Sequence, residues 1–189
     1  AARFVAAAPT VLDDREPLAA MDAHWQGYRA LLEFHHAFED AHLLPMVRAR
    51  APELSGLIDE LAREHHELDE LLPHLSGILA SGDPDPAGAE SGFVRLRDLL
   101  VPHLAAEEEH LVPLMEQVFA GAGRGGPGDD QDGPAQEPPV DASFWLPWVG
   151  EQLDDGLVEA SLAMQPEEHR RAYPAWLEEY RARLDAWVV

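Results

Sequence analysis

The amino-acid sequence predicts an all-α protein: an up-and-down antiparallel four-helix bundle, with its first helix truncated at the N-terminus and a helical hairpin appended at the C-terminus. Apolar residues recur three and four positions apart along most of the 189 residues, which is the period of an amphipathic helix. No segment shows the sustained alternation that is typical of a strand. Long helical segments joined by short breaks indicate an antiparallel bundle, and a hydrophobic content of 46% is sufficient for one core.

Three long helices are predicted from these apolar stripes: Pro17 to Met46, Pro52 to Leu79 and Glu90 to Phe119. Each would extend about 40 to 50 Å at 1.5 Å per residue. Asp14, ahead of the first helix, is a helix-start signal, and the Gly/Pro-rich segment 81–88 separates the second helix from the third. The alanine-rich residues 1–8 are interpreted as the last turns of a further helix whose beginning is missing. That helix would be the fourth of the bundle.

The chain divides into three regions by composition. Residues 1–119 are the predicted bundle, and residues 120–140, rich in Gly, Pro and Asp, are predicted to form a flexible linker. Residues 141–189 carry four of the five tryptophans and are predicted to form a hairpin of two helices, one at 143–164 and one after Pro166. The hairpin would pack on the bundle or on another subunit, so a homodimer formed through it is one expected assembly.

The charge balance excludes several classes of function. The chain has 36 acidic and 13 basic residues, a formal charge of −23, and all of the basic residues are arginine. Without lysine or cysteine, it cannot use a lysine Schiff base, a cysteine nucleophile or a thiolate metal site. Nucleic acids and anionic membranes are not expected as partners, because they bind clustered cationic side chains. There is no apolar run long enough to span a bilayer and no leader-like segment, so we expect a soluble, cytoplasmic protein.

Ten histidines on this acidic background point to metal binding, and two of the segments that hold them form an internal repeat. Aligning Pro45 with Pro113 superimposes five further positions: His35 on His103, Glu39 on Glu107, Asp40 on Glu108, His42 on His110 and Leu43 on Leu111. Residues four apart share a helix face, so each repeat places an imidazole beside a carboxylate within an apolar stripe. Burying such groups is unfavourable unless something pairs with them. Two helices that offer nitrogen and oxygen ligands to a shared interior fit a pair of metal cations.

The helix between the two repeats supplies a third imidazole. His65 follows the apolar stripe of that helix, whereas His66 lies on its polar side, so His65 is the expected ligand. Asp69, four residues further on, could accept a hydrogen bond from an imidazole. His36 and Asp40 lie one step around the first long helix and could surround the ligands without being ligands themselves.

His42 and His110 leave a second interpretation open. Glu39 with His42, and Glu107 with His110, each form the Glu-x-x-His unit of ferritin-like di-iron bundles. That scheme needs a lone glutamate at a core position of each remaining helix, and the middle helix presents His65 there. The histidine-rich arrangement is therefore favoured, with His42 and His110 around the site or along a channel.

The duplicated motif, the Glu64-His65 pair and the Leu-x-Pro that closes both repeats resemble the hemerythrin-like family, also called the HHE cation-binding domain. The resemblance covers about residues 1–119. It implies a four-helix bundle with a non-haem di-iron centre and an open position for a small diatomic or peroxide ligand. The ligands that it implies are His35, Glu39, His65, His103 and Glu107, with the histidines as terminal ligands and the glutamates as bridges.

Two departures refine the expectation. Oxygen-carrying hemerythrins place a second histidine four residues from the first on the third helix, where this chain has Leu61 or Asp69. The acid of the fourth helix, Glu107, follows its histidine at a spacing of four, where these carriers have an aspartate at five. Both departures favour the HHE branch, which senses or handles iron, oxygen, peroxide or nitric oxide.

The family also has a histidine on its first helix. The 38-residue spacing between His65 and His103, applied backward from His35, places that residue a few positions before Ala1.

The resulting hypothesis is a hemerythrin-like protein with two iron ions that binds, senses or reduces a small oxidant. Two alternatives stay open. One is a ferritin-like oxidase or iron-handling protein that uses the two Glu-x-x-His units. The other is a metal-free helical module that binds a partner through the Trp-rich hairpin.

Overall fold

The structure, a computed structural model, describes residues 2–11, 14–81, 85–121, 138–151, 153 and 155–187. Its helices in chain order are α1 (Ala2–Val11), α2 (Arg15–Phe38), α3 (Leu44–Arg50), α4 (Ser55–Ala80), α5 (Pro86–Gly121), α6 (Ala142–Gly150), α7 (Asp155–Ala163) and α8 (Glu167–Asp185). A π-helical turn, Glu39–Leu43, joins α2 to α3, and a 3-10 turn, Pro52–Leu54, precedes α4. The part of the chain described here contains no strand, so the predicted all-α fold is confirmed.

Four helices enclose the main core: α1 and α4 each pack against both α2 and α5. Helices α2 and α4 run antiparallel. At one end Trp25 of α2 donates its indole N–H to the hydroxyl of Ser76 in α4, at 2.8 Å. At the other end the ring of His36 stacks on that of His65, with 4.3 Å between the ring centroids.

The apolar core is divided into two clusters along the bundle axis. The larger cluster contains Leu32 of α2, Leu68 of α4 and Leu100 of α5. The smaller one contains Leu43, Leu61 and Leu111, which lie toward the other end of the same three chain segments. Between the two clusters, the same three chain segments carry buried histidines and glutamates. A polar layer is thus closed off by apolar side chains on either side.

Most predicted helix boundaries lie close to the observed ones, and the differences have local causes. Helix α2 begins after Asp14, whose side chain accepts a hydrogen bond from the amide of Glu16 at 3.2 Å. Helix α5 begins at Pro86, four residues before the predicted start, because proline fits the first turn of a helix without losing a hydrogen bond. The single helix predicted for residues 143–164 is wrong. The chain leaves α6 after Gly150, a residue of low helix propensity, and α7 starts at Asp155.

The C-terminal helices α6 and α8 both pack against α2. Trp187, just beyond α8, is buried and stacks on Phe4 of α1 with 5.1 Å between ring centroids. Residues 122–137, most of the predicted linker, lie outside the described residues, and the homodimer stays a prediction. Among the described residues, no helix is both long enough and apolar enough to cross a membrane.

Candidate metal centre

The polar layer of the bundle brings together five buried side chains from three chain segments: α2 with the π turn that follows it, α4 and α5. They are His36 of α2, Glu39 of the π turn, His65 of α4, and His103 and Glu107 of α5, each at most 7% exposed. Each lies on the apolar stripe of its helix. On one side of the layer these stripes continue with Leu32, Leu68 and Leu100 of the larger cluster. Burial of these groups therefore follows from the packing of the stripes on either side.

The ligand atoms of four of these residues converge on one point. The Nε2 atoms of His65 and His103 are 3.2 Å apart. Nε2 of His103 lies 3.0 Å from Oε1 of Glu107, and Nε2 of His65 lies 3.5 Å from Oε2 of Glu39. One nitrogen or oxygen from each of the four residues lies within 4.8 Å of every other. Two imidazoles and two carboxylates at this separation can share one or two metal cations.

Both histidines direct the same nitrogen into the centre, because the other nitrogen is held by a carboxylate. Nδ1 of His65 lies 2.8 Å from Oδ1 of Asp40, and Nδ1 of His103 lies 2.8 Å from Oε2 of Glu64. A carboxylate accepts a hydrogen bond, so each Nδ1 carries a proton and donates it. In the neutral rings both Nε2 lone pairs then face each other at 3.2 Å, an arrangement that a proton or a metal cation between them stabilises.

The π turn gives Glu39 and its neighbour their positions. The amide of Leu44 donates to the carbonyl of Glu39, one residue further than in an α-helix. Pro45 has no amide hydrogen to donate to the carbonyl of Ala41, and its ring crowds that carbonyl in a regular α-helix, which favours a wider turn here. Glu39 is buried in this turn, and Asp40 reaches His65. Single π turns of this kind often occur at functional sites.

The two buried carboxylates have different electrostatic environments. Burial raises the pKa of Glu39 to about 7, against the opposing effect of the neighbouring imidazoles. Burial acts on Glu107 in the same sense, but the nearby imidazoles of His103, His35 and His65 stabilise its charged form, outweigh the effect of burial and hold the pKa of Glu107 below its usual value. The site thus favours one firmly ionised carboxylate beside a second that is easily protonated while no cation is bound.

The central imidazoles favour the charged form. Burial alone would lower the pKa of His65 and of His103, but the nearby carboxylates raise both above the ordinary value: Glu107 and Asp40 beside His65, and Glu107 and Glu64 beside His103. A group of carboxylates that stabilises positive charge on imidazole is electrostatically suited to a cation.

His35 and His36 occupy different positions, and the burial of His36 was not predicted. The side chain of His35 is 45% exposed at the edge of the layer, with Nε2 3.4 Å from Oε1 of Glu39 and 3.8 Å from Oε2 of Glu107. His36, which the sequence placed around the ligands, is buried against His65. His36, His65 and His103 also form a group that could hold an ion. The signal was present: His36 is four residues after Leu32 and three before Glu39, so it continues the buried stripe.

The remaining residues that the sequence singled out lie outside the cluster. His42, His110 and Asp69 are exposed, and the carboxylate that accepts a hydrogen bond from Nδ1 of His65 is that of Asp40, not the expected Asp69. The contact of Glu64 with His103 was not predicted. The position of Glu64 directly before His65 gave no indication that it would reach the next helix.

Unpaired buried atoms show that the residues fit a metal cation. Within the described residues, Oε2 of Glu39, Oε1 of Glu107 and both ring nitrogens of His36 are buried without a hydrogen-bond partner. Unpaired polar atoms are costly in an apolar interior. A cation bound by these oxygens and by Nε2 of His65 and His103 would remove the penalty on the two carboxylate oxygens, and the donor set of nitrogen and oxygen suits iron, manganese or zinc.

Fold and site together define a class: an α-helical protein with a buried histidine and glutamate cluster that could hold a metal. The family model of the hemerythrin HHE cation binding domain matches residues 2–120. The chain therefore belongs to the hemerythrin HHE cation-binding domain family, as its repeated motif suggested. No curated protein and no solved structure matches it significantly.

Proposed function

We propose that this protein binds two iron ions in the buried layer and uses them to bind, sense or reduce a small oxidant: dioxygen, peroxide or nitric oxide. The observation that carries the proposal is the convergence of Glu39, His65, His103 and Glu107, whose ligand atoms all lie within 4.8 Å of one another in an apolar interior. Iron would supply reversible electron transfer and a coordination position for the oxidant.

The side chains have distinct tasks in this proposal. Glu39 and Glu107 would bridge the ions, because each carboxylate has two oxygens and both groups face the centre. His65 and His103 would bind through Nε2. His35 would complete the set from the exposed edge of the layer, next to both glutamates. That edge is where a small molecule from solvent would enter.

Other observations weigh against the alternative ferritin-like scheme. It requires His42 and His110 as ligands, but both are exposed and neither belongs to a group of described residues that could hold an ion. Of the C-terminal helices, α6 and α8 are packed on α2, so a metal-free interaction module would have to use their outer faces.

Substituting one buried and one exposed histidine of α5 tests the proposal. Protein produced with iron available should contain about two iron ions per chain. His103→Ala should lose most of that iron because Nε2 of His103 faces both His65 and Glu107. His110→Ala, on the same helix, is the matched control and should keep it.

Three results would contradict the proposal: a wild type without iron, equal iron in all three proteins, or selective loss of iron in His110→Ala. The last result would favour the ferritin-like scheme. The loaded protein should also change its visible absorption on exposure to dioxygen, peroxide or nitric oxide, whereas loaded protein that does not respond to any of them would rule out oxidant handling.

A further inference from the structure

We propose that Asp40 and Glu64 are positioning residues for the metal centre, which fix the tautomer and the ring orientation of His65 and His103. The inference rests on the proposed function in one respect: it assumes that the two histidines bind a metal cation through Nε2. It adds two residues that would not touch the metal and assigns each a specific histidine.

The geometry of the two contacts is the same. Asp40 and Glu64 each place one carboxylate oxygen 2.8 Å from Nδ1 of a buried imidazole. In both cases Nε2 of that imidazole is the atom that faces the other histidine. A proton held on Nδ1 by a carboxylate leaves the lone pair on Nε2 and makes that nitrogen a better donor.

The two carboxylates also join neighbouring helices. Asp40 extends from the π turn to His65 of α4, and Glu64 extends from α4 to His103 of α5. Each comes directly before or after a residue of the buried cluster in sequence: Asp40 follows Glu39, and Glu64 precedes His65. The orientation of each ring is therefore set by a residue from the preceding segment, and the three segments are fixed relative to one another.

The two contacts differ in exposure. The side chain of Asp40 is 47% exposed, whereas that of Glu64 is 15% exposed. The second oxygen of Glu64, Oε1, lies 3.8 Å from Nη2 of Arg63, an exposed side chain. Because water screens an exposed charge more strongly, we expect Glu64 to have the larger effect on metal binding.

The first test measures metal affinity with Zn²⁺ as the probe, in competition with a chromogenic chelator. Asp40→Ala and Glu64→Ala should each bind Zn²⁺ about 10- to 100-fold more weakly than the wild type. Asp40→Asn and Glu64→Gln keep an oxygen near Nδ1 without its charge and should lose less. Glu70→Ala removes an exposed carboxylate of α4 that lies beside the exposed His66, and it should bind Zn²⁺ like the wild type.

The second test does not depend on the variants. In ¹⁵N-labelled wild type loaded with Zn²⁺, long-range ¹H–¹⁵N spectra should show Nδ1 protonated and Nε2 metal-bound in both His65 and His103. Metal on Nδ1 of either ring would overturn the assignment for that histidine. Unchanged Zn²⁺ affinity in Asp40→Ala and Glu64→Ala, with a wild type that binds metal, would overturn this inference alone. A wild type that binds neither Zn²⁺ nor iron would overturn the proposed function as well.

Discussion

The buried histidines His24, His65 and His103 represent two different electrostatic settings. His65 and His103 lie beside carboxylates, which raise the pKa of both imidazoles. His24 is not paired with a carboxylate of the described residues, and it lies beside Phe4 and Trp187 of the larger apolar cluster, away from the polar layer. Burial, aided by the positive charges of Arg3 and Arg183, lowers the pKa of His24 to about 4. The rings around it are Phe4, Phe144, Tyr180 and Trp187.

The neutral form of His24 should make stability depend on pH. Its folded pKa of about 4 lies below the ordinary histidine pKa of 6.5, so between these two pH values the unfolded chain binds a proton that the folded chain does not. The contribution of His24 is complete above pH 6.5 and decreases as the pH falls toward 4, by roughly 3 kcal/mol in all. Urea unfolding at several pH values should show this slope in the wild type and a smaller slope in His24→Phe. Equal slopes in the two proteins would contradict the assignment.

Single residues also show where prediction from sequence ends. The choice of His65 over His66 follows from helical periodicity, and the structure places His65 in the cluster and His66 on the surface. The contacts of Asp40 and Glu64 could not be predicted in the same way, because both connect side chains on different helices. Helical periodicity predicts which face of a helix is buried, but it does not predict which side chain of a neighbouring helix lies opposite.

At the level of helices, the close approach of α6 to α2 depends on Gly27. A Cβ atom added at Gly27 would lie 2.5 Å from Cζ of Phe144 in α6, with two more ring atoms within 2.8 Å. A rigid aromatic ring cannot relieve such a contact without moving, so any larger residue at this position should displace α6.

Gly27→Ala should therefore destabilise the protein by about 1 to 3 kcal/mol, the usual effect of overpacking. Gly77→Ala is the matched control, because nothing lies within 4 Å of a Cβ at that position of α4. That control should stabilise the protein by about 0.5 to 1 kcal/mol through helix propensity. Thermal and urea unfolding measure the stability of both variants. Equal shifts in the two would show that the close packing of Phe144 does not require a glycine at position 27.

The long helices were predictable because their apolar stripes are unbroken over several turns, whereas their interruptions were not. The π turn at Glu39–Leu43 keeps the chain helical, so the sequence pattern merges α2 with α3. The break after Gly150 is hidden by an apolar pattern that continues through it. Local hydrogen bonding decides both features, and hydrophobic periodicity is insensitive to it.

On the scale of the whole molecule, the C-terminal segment completes the core of the bundle. Trp187 is 1% exposed and stacks on Phe4, which in turn stacks on Phe93 of α5 at 5.2 Å. The sequence identified a Trp-rich helical segment and left its docking surface open between the bundle and a second subunit. The docking surface depends on shape complementarity between distant segments, which composition does not specify.

Replacing tryptophans of this segment should reveal the contribution of docking. Trp187→Ala should destabilise the protein by about 3 to 5 kcal/mol, because a large fully buried ring is lost. Trp176→Ala, a half-buried tryptophan of α8, should have a clearly smaller effect. Denaturant unfolding compares the two. If Trp187→Ala and Trp176→Ala lower the free energy of unfolding equally, Trp187 is not part of the folded core.

In the proposed function, a metal pair lies between the two apolar clusters of the bundle and is held by the π turn after α2, by α4 and by α5. The most direct measurement is anomalous diffraction at the iron absorption edge, from crystals of protein produced with iron. We predict two adjacent peaks within bonding distance of Glu39, His65, His103 and Glu107. Crystals of iron-containing protein with no peak in this layer, or with peaks beside His42 and His110 instead, would contradict the account.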